Sequence, residues 1–423
     1  MAELVSNKIT IKNFVVIKEA EIDIKDINVI IGRQSSGKSL IAKLIYFFST
    51  LDDIFVDYVY AGNDKYDFEN AVLEKFSSFF PPYLWRDKSF RIEYTINDFV
   101  IAWRYTRKTT SSDSRHKIIL SKSMKSALES VRDDAINAST FREIKINDRV
   151  VKIRKKYAKE NIANDLREAF PFYFCKNLFV PSGRTFLHTL KLNAFFLESL
   201  QVDPFVKEFG REYSTIKQFF EGNSISILED HDEKAFSSIL NGRYTYDEAE
   251  DEDWIVSSRG HKTKLAHASS GQQESLPMLA TLAVSPIIMY GDVFSGMLYI
   301  EEPEAHLFPT AQNEVISFIS SVYRDYQTRF FLTSHSPYVI SALNNMIQAN
   351  EAIRQDLFTE NKFNAINKGG ASIPFERVSA YTIENGIVKS IMDEEYRMIG
   401  AYTLDDISNH FQNIMDHLLE LES

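Results

Sequence analysis

A single cysteine, Cys175, stands among the 423 residues, so no disulfide can form within the chain. No apolar run approaches the roughly 18 residues of a membrane span. The most apolar stretch, Leu276 to Tyr290, is interrupted by Pro277, Ser285 and Pro286. The first residues show no charged, apolar and small-residue leader, so the expectation is a reducing, cytoplasmic setting without membrane attachment. No internal repeat is found, and no apolar pattern sustains the three to four heptads of a long coiled coil. Basic residues are the minority, 48 against 59 acidic ones, and the net charge of −11 excludes nucleic-acid binding over the whole surface. What is present, 44% hydrophobic and 13% aromatic residues, is enough to bury a large core with room for about two to three domains.

The charge is unevenly spread. Between Ala102 and Lys159 there are 16 Lys and Arg against 6 Asp and Glu, a net of +10, which leaves −21 for the rest of the chain. Within that stretch Lys152, Arg154, Lys155 and Lys156 are candidate phosphate contacts, against the alternative of a solvated face.

Ile9, Ile11 and Phe14 open a strand alternation, Ala20 to Ile24 continue it, and Ile27 to Ile31 form a compact apolar strand ending at Gly32. Leu40, Ile41, Leu44, Ile45 and Phe48 then recur at helical spacing. From Asp52 to Glu221 the pattern is mixed, with helices expected at Lys122–Ala138 and Tyr157–Phe170 and strands at Phe90–Tyr105 and Lys145–Ile153. Ile239 to Lys264 reads as a strand pair around an acidic loop, Asp247 to Asp253, whose six carboxylates should be solvated. Val378–Ile383 and Ile387–Ile391 flank Glu384-Asn385-Gly386, a tight-turn hairpin signal. Ile407, Phe411, Ile414, Met415 and Leu418 mark a closing amphipathic helix.

Gly32-Arg33-Gln34-Ser35-Ser36-Gly37-Lys38-Ser39, followed by Leu40, matches the phosphate-binding loop G-x-x-x-x-G-K-[ST] in full. In such a loop backbone amides and a helix N-terminus cradle phosphates, Lys38 reaches the β- and γ-phosphates, and the Ser39 hydroxyl ligates Mg²⁺. Met297 to Ile300 is an apolar strand ending in Glu301-Glu302, as a Walker B segment requires. Glu301 is the expected metal ligand, through a water, and Glu302 the base that deprotonates the attacking water. Ser269-Ser270-Gly271-Gln272-Gln273 precedes an apolar helix over Leu276–Val284. Two compatible readings apply to it: an N-cap whose capping box Gln273 closes, and an anion site at an outward helix N-terminus. His335, after the apolar strand Arg329–Leu332, is a candidate γ-phosphate sensor.

In this order the motifs resemble the ABC-type ATPase head of SMC-like proteins, and most closely the OLD-like group of prokaryotic defence modules. The resemblance rests on IEEPEAHLFP (Ile300 to Pro309), the signature-like Ser269 to Gln273, the H-loop-like Thr333 to Pro337, and FVPSGR (Phe179 to Arg184). It covers roughly residues 1–50 and 171–400. It implies an α/β P-loop fold, a mixed sheet flanked by helices, with head segments at 1–60 and 171–423 and an inserted, partly basic α+β region at 61–170. It further implies a homodimer or larger even-numbered assembly in which Ser270 and Gly271 complete the ATP site of another copy. Two departures from the family pattern, Gln272 for the second signature glycine and Glu301 for Asp, suggest slow or partner-dependent hydrolysis.

OLD nucleases carry a Toprim domain with an Asp-x-Asp pair. After Pro337 no Asp-x-Asp occurs, so this chain is not expected to be the nuclease itself. The implied role is an ATPase sensor or scaffold of anti-phage defence, similar to the ATPase subunits of PARIS or Septu, with a separate effector and a DNA or phage-protein trigger. The alternative is an SMC- or RecF-like ATPase of DNA repair or recombination that clamps DNA directly. A transporter's nucleotide-binding subunit is disfavoured by the basic insertion.

Overall fold

The computed structural model describes residues 6–62, 67–107, 115–138, 140–146, 149–155, 159–170, 176–189, 202–221, 230–289 and 296–400. Its first strands, β1 (Asn7–Phe14), β2 (Ile17–Asp23) and β3 (Ile27–Ile31), lie where the alternation places them. Helix α1 (Lys38–Ser49) follows the phosphate loop, and α2 (Asp52–Ala61) and α3 (Phe68–Phe79) lead to a second run of strands.

That run differs from expectation. Phe90 to Tyr105 is a hairpin, β4 (Phe90–Ile96) and β5 (Phe99–Tyr105), because Asn97 takes a positive φ of 50° and turns the chain. With β6 (His116–Leu120) these strands pair onward from β1, so they extend the same sheet. Helix α4 (Lys122–Asn137) is capped by Ser121, whose side chain accepts from the Met124 amide. The strand expected at Lys145–Ile153 spans the turn of a separate hairpin, β7 (Thr140–Ile146) and β8 (Arg149–Lys155). Helix α5 (Lys159–Ala169) follows it.

Besides a one-turn helix over Phe186–Thr189, the further elements are β9 (Asn177–Val180), α6 (Pro204–Ile216), α7 (Asp230–Leu240), a small sheet of β10 (Arg243–Asp247), β11 (Glu252–Val256) and β12 (Lys262–Lys264), α8 (Ser270–Met289), β13 (Met297–Glu301), α9 (Pro309–Tyr326), β14 (Arg329–Ser334), α10 (Pro337–Arg354), α11 (Glu360–Ile366), β15 (Val378–Glu384), β16 (Ile387–Ser390), β17 (Met392–Asp393) and β18 (Met398–Ile399). Ile239 belongs to α7, and the expected strand pair is three strands. Its acidic loop is exposed over Glu248–Glu250, as expected, while Asp251 accepts from Lys217 and from the Tyr246 hydroxyl, and Asp253 from the Tyr244 hydroxyl. The expected helix around Ile407 to Leu418 lies outside the described residues.

Eleven strands form the main sheet in the order β6-β5-β4-β1-β2-β16-β15-β3-β14-β13-β9. Five neighbours, β15, β3, β14, β13 and β9, run parallel. Their period-2 alternation serves two cores. Ile27, Val29, Leu298, Ile300, Phe330 and Leu332 face the core shared with α8, α9 and α10, whereas Ile30, Tyr299 and Phe331 face the one shared with α1 and the N-terminal strands. Asn28 is the buried polar exception within β3, and its amide is fully used: Nδ2 donates to the Lys25 and Phe330 carbonyls, and Oδ1 accepts from the Lys25 amide and the Ser379 hydroxyl. Among the described residues no helix is long and apolar enough to cross a membrane.

Candidate functional site

Parallel strands bring their carboxyl ends to one edge, and loops leaving neighbouring strands there converge. Here β9, β13, β14 and β3 are adjacent and deliver Pro181–Arg184, Glu302, His335 and Gly32–Lys38 respectively. The site follows from that order.

The phosphate loop closes on Gly37, which caps α1 at φ 108° and ψ 10°, outside what L side chains adopt readily. Space forbids a side chain there too, since an added Cβ would lie 2.5 Å from Ile17 Cδ1 and 3.0 Å from Val16 Cγ2. With no side-chain cap, the first amides of α1 are free to take an anion.

Lys38 is buried, and its Nζ donates to the carbonyls of Gly32 and Arg33 at 2.9 and 3.0 Å. The same atom sits 3.1 Å from His335 Nε2 and 3.3 Å from Nδ1. Burial lowers the Lys38 pKa below the usual lysine value, and the carboxylates of Glu302 and Glu304 oppose that shift. His335 Nε2 in turn lies 3.2 Å from Glu302 Oε1. Lys38, His335 and Glu302, which follow three neighbouring strands, therefore meet at the phosphate loop.

The two Walker B carboxylates are held differently. Glu301 is buried, its Oε2 accepts from the Ser182 amide at 3.0 Å and hydroxyl at 3.3 Å, and its Oε1 has no hydrogen-bond partner among the described residues. An orphaned, buried carboxylate oxygen beside a phosphate loop fits a cation, and Ser39 in the first turn of α1 supplies a second oxygen of the right kind. Glu302 is half-exposed and sits in the left-handed region at φ 46°, at a cost of roughly 1–2 kcal/mol for a non-glycine residue. Its amide donates to the Thr333 carbonyl at 2.9 Å.

Four residues with no assigned role in the sequence reading complete the framework: Ser182, Glu304, Arg184 and Glu274. Glu304 Oε1 accepts from the Ser334 hydroxyl and the His335 amide, both at 2.7 Å, and so sets the base of the His335 side chain. Arg184 is fully buried and donates to the carbonyls of Glu274 (2.8 Å), Pro181 (3.1 Å), Glu301 (2.8 Å) and Glu302 (3.1 Å). It also pairs with the Glu274 carboxylate at 3.3 Å. Burial pulls the Arg184 pKa down while the surrounding carboxylates oppose it. Burial likewise opposes ionisation of Glu274, but Arg184 and the bonds from Thr185 hold its carboxyl below the usual range. Removing one member of such a pair strands a buried charge at about 3–5 kcal/mol. FVPSGR is visible as a segment, but partners of Arg184 90 and 117 positions away leave no local pattern.

The signature-like segment begins α8 at Ser270, a turn and a half before the apolar run. The capping box closes one residue earlier than expected: the Ser269 hydroxyl accepts from the Gln272 amide, and the Gln272 side chain accepts from the Ser269 amide, because Ser269, not Ser270, is the residue before the helix. Gln273 is used elsewhere, donating to the Leu265 and Ala266 carbonyls. Ser270 is exposed, and Gly271 packs so tightly on the Glu301–Phe308 turn that a Cβ would lie 2.8 Å from the His306 carbonyl oxygen. Among the described residues no hydrogen bond joins Ser270 or Gly271 to the phosphate loop of the same chain. Of the basic candidates, Lys152, Arg154 and Lys155 lie on β8 in register with Glu143, Phe141 and Thr140, and Lys156 lies outside the described residues.

Residues 27–341 match a protein-family model described as AAA domain, putative AbiEii toxin, Type IV TA system. Among solved structures, a crystal structure of an SMC head bound to the C-terminal winged-helix domain of ScpA is similar at 13% identity and a TM-score of 0.43, over 94% of this chain and 100% of that one. The SMC head domain from Thermotoga maritima is similar at 13% identity and a TM-score of 0.37, over 92% of this chain and 98% of that one.

Proposed function

Because the chain belongs to the AAA-domain family of putative AbiEii toxins of type IV toxin–antitoxin systems, we propose that it binds and hydrolyses ATP between two head-to-head copies, and that this cycle controls a separate effector in anti-phage defence. The observation that carries the ATPase reading is the meeting of Lys38, His335 and Glu302 around the phosphate loop.

Gly32 to Leu40 cradle the triphosphate, and the Lys38 ammonium exchanges its two loop carbonyls for β- and γ-phosphate oxygens. Glu301 and Ser39 are the residues that would hold Mg²⁺, which supplies charge neutralisation between those phosphates. Glu302 takes a proton from a water, the water oxygen bonds to the γ-phosphorus, and the bond to the ADP oxygen breaks with its electron pair leaving on ADP. His335 donates to the γ-phosphate. Ser270 and Gly271 complete the site of the other copy, so ATP favours the closed pair and hydrolysis releases it.

The defence role draws its support from the family's description as putative toxins and from the OLD-like motif set. On this reading the effector is a separate protein, as it is for the ATPase subunits of PARIS or Septu that the motif set resembles. A second reading, direct DNA clamping, is favoured by the β7–β8 hairpin, which stands outside the main sheet and carries Lys152, Arg154 and Lys155. Salt-sensitive DNA binding by the ATP-loaded protein separates the two.

The test is Lys38→Ala. It should abolish tight ATP binding, measured with a fluorescent ATP analogue, together with the ATP-dependent doubling of native mass. Parental affinity in this variant would overturn the assignment.

A further inference from the structure

The two halves of the proposed composite site, the Walker B turn used in one ATP site and the signature helix lent to the other, are tied together inside each protomer by one buried ion pair. We propose that Arg184 and Glu274 are positioning residues that make these two halves move as one, so that each protomer couples the two ATP sites of the assembly. This rests on the head-to-head reading above.

Arg184 fixes the peptide orientation of the Walker B turn. Arg184 Nη1 and Nη2 hold the carbonyls of Glu301 and Glu302, successive peptides at the end of β13. With the Glu302 amide bonded to the Thr333 carbonyl on its other side, both peptides flanking its left-handed backbone are fixed. The direction of the Glu302 side chain follows from those two peptides, and it points to His335. A lysine carries three donors on a point charge and cannot reproduce the planar fork that reaches four carbonyls at once.

Glu274 ties the loop after β9 to the signature helix. Its Oε1 accepts from the Gly183 and Arg184 amides, and its Oε2 from the Thr185 amide and hydroxyl, so both oxygens are saturated by the loop after β9. It sits four residues after Ser270 on the same helix, about one turn along. A hydrogen-bonded turn transmits a shift at Glu274 to Ser270 and Gly271 with little loss, and Gly271 is itself braced against the His306 carbonyl. Displacing Glu302 on ATP binding therefore displaces the signature residues presented to the partner's nucleotide.

Mixed dimers, purified on two different tags, separate coupling from local support of the base. One protomer carries Lys38→Ala, so the surviving site uses the parental protomer's phosphate loop and the Lys38→Ala protomer's signature. Adding Arg184→Lys to the Lys38→Ala protomer leaves the surviving Walker B turn untouched. Coupling predicts that turnover at the surviving site falls about tenfold, whereas a role confined to Glu302 of the same chain leaves it unchanged and overturns the proposal. Glu274→Gln in the same protomer, equal in shape, should lower turnover in the same direction and serves where Arg184→Lys folds poorly. As the control, Gly271→Asp in the Lys38→Ala protomer should abolish the surviving activity. If turnover survives it, the head-to-head reading has failed, independently of the coupling.

Discussion

Replacing Glu302 by Gln tests the assigned chemistry with little disturbance to the fold. The contacts that hold this residue at φ 46° are made by its backbone, the amide to Thr333 and the carbonyl to Arg184, and Gln leaves both intact. Its side-chain oxygen can still meet His335 Nε2, now 3.2 Å from Oε1. What Gln lacks is a basic carboxylate. A general base contributes roughly 10²- to 10⁴-fold, and at 1.36 kcal/mol per decade that raises the barrier by about 3–5 kcal/mol. Phosphate release in single-turnover mixing should fall by that factor, while binding of a fluorescent ATP analogue and the melting temperature stay near parental values. The ATP-loaded variant should also persist as the closed pair in native mass measurements. Hydrolysis at the parental rate would refute the assignment of the base, and loss of ATP binding would refute the claim that Gln is structurally silent.

Gly37→Ala places a methyl 2.5 Å from Ile17 Cδ1 at φ 108°. Overpacking of about 1–3 kcal/mol should displace the loop and weaken ATP binding at least tenfold, read by the same fluorescence titration. Gly386→Ala sets a Cβ 2.5 Å from the Val16 carbonyl oxygen at φ 81°, on the other side of the same β1–β2 turn, and should lower the melting temperature. At the β17–β18 strap, Arg397 pairs with Glu351 and Glu376, and Arg354 joins at Glu376. A bond to its own backbone, with Arg397 and Arg354, holds the Glu376 carboxyl down to about 2. A depressed carboxyl stabilises the fold fully above its unfolded pKa near 4.5 and loses that contribution as pH falls toward about 2. Arg397→Ala should therefore melt earlier than the parent at pH 6, with the gap narrowing between pH about 4.5 and 2.5 in thermal scans.

The parts of the fold that the sequence makes legible are those whose signal is local. Ile27 to Ile31 announce a strand buried on both faces, and Gly37 and Asn385-Gly386 announce backbone that few other residues adopt. Lys38, Glu301, Glu302 and His335 stand in recognisable segments, and the parallel order β9-β13-β14-β3 brings those segments to one edge. The turn at Asn97 has a local signal that a single strand over Phe90–Tyr105 ignores: the apolar alternation keeps to even positions up to Ile96 and to odd ones from Phe99, with Asn97-Asp98 between them. The capping box is ambiguous by one residue in the sequence because Ser269-Ser270 and Gln272-Gln273 offer two equivalent spacings, and only the helix start chooses between them. Arg184 is illegible for a different reason: its hydrogen bonds go to carbonyls, which every residue has, and its carboxylate partner Glu274 lies 90 positions away.

The position of β3 has a consequence for synthesis of the chain. This strand bears the phosphate loop, and its two sheet neighbours are Arg329–Ser334 and Val378–Glu384. Translation at about 5–20 residues per second leaves Ile27 to Ile31 without either neighbour for most of roughly 20–70 s after they are made. During that interval an apolar strand with two open edges must be kept from pairing with other nascent chains. A ribosome that stops before β15 releases a chain whose nucleotide loop hangs from a half-paired strand, so ATP-binding competence arrives only once Val378–Glu384 has been made.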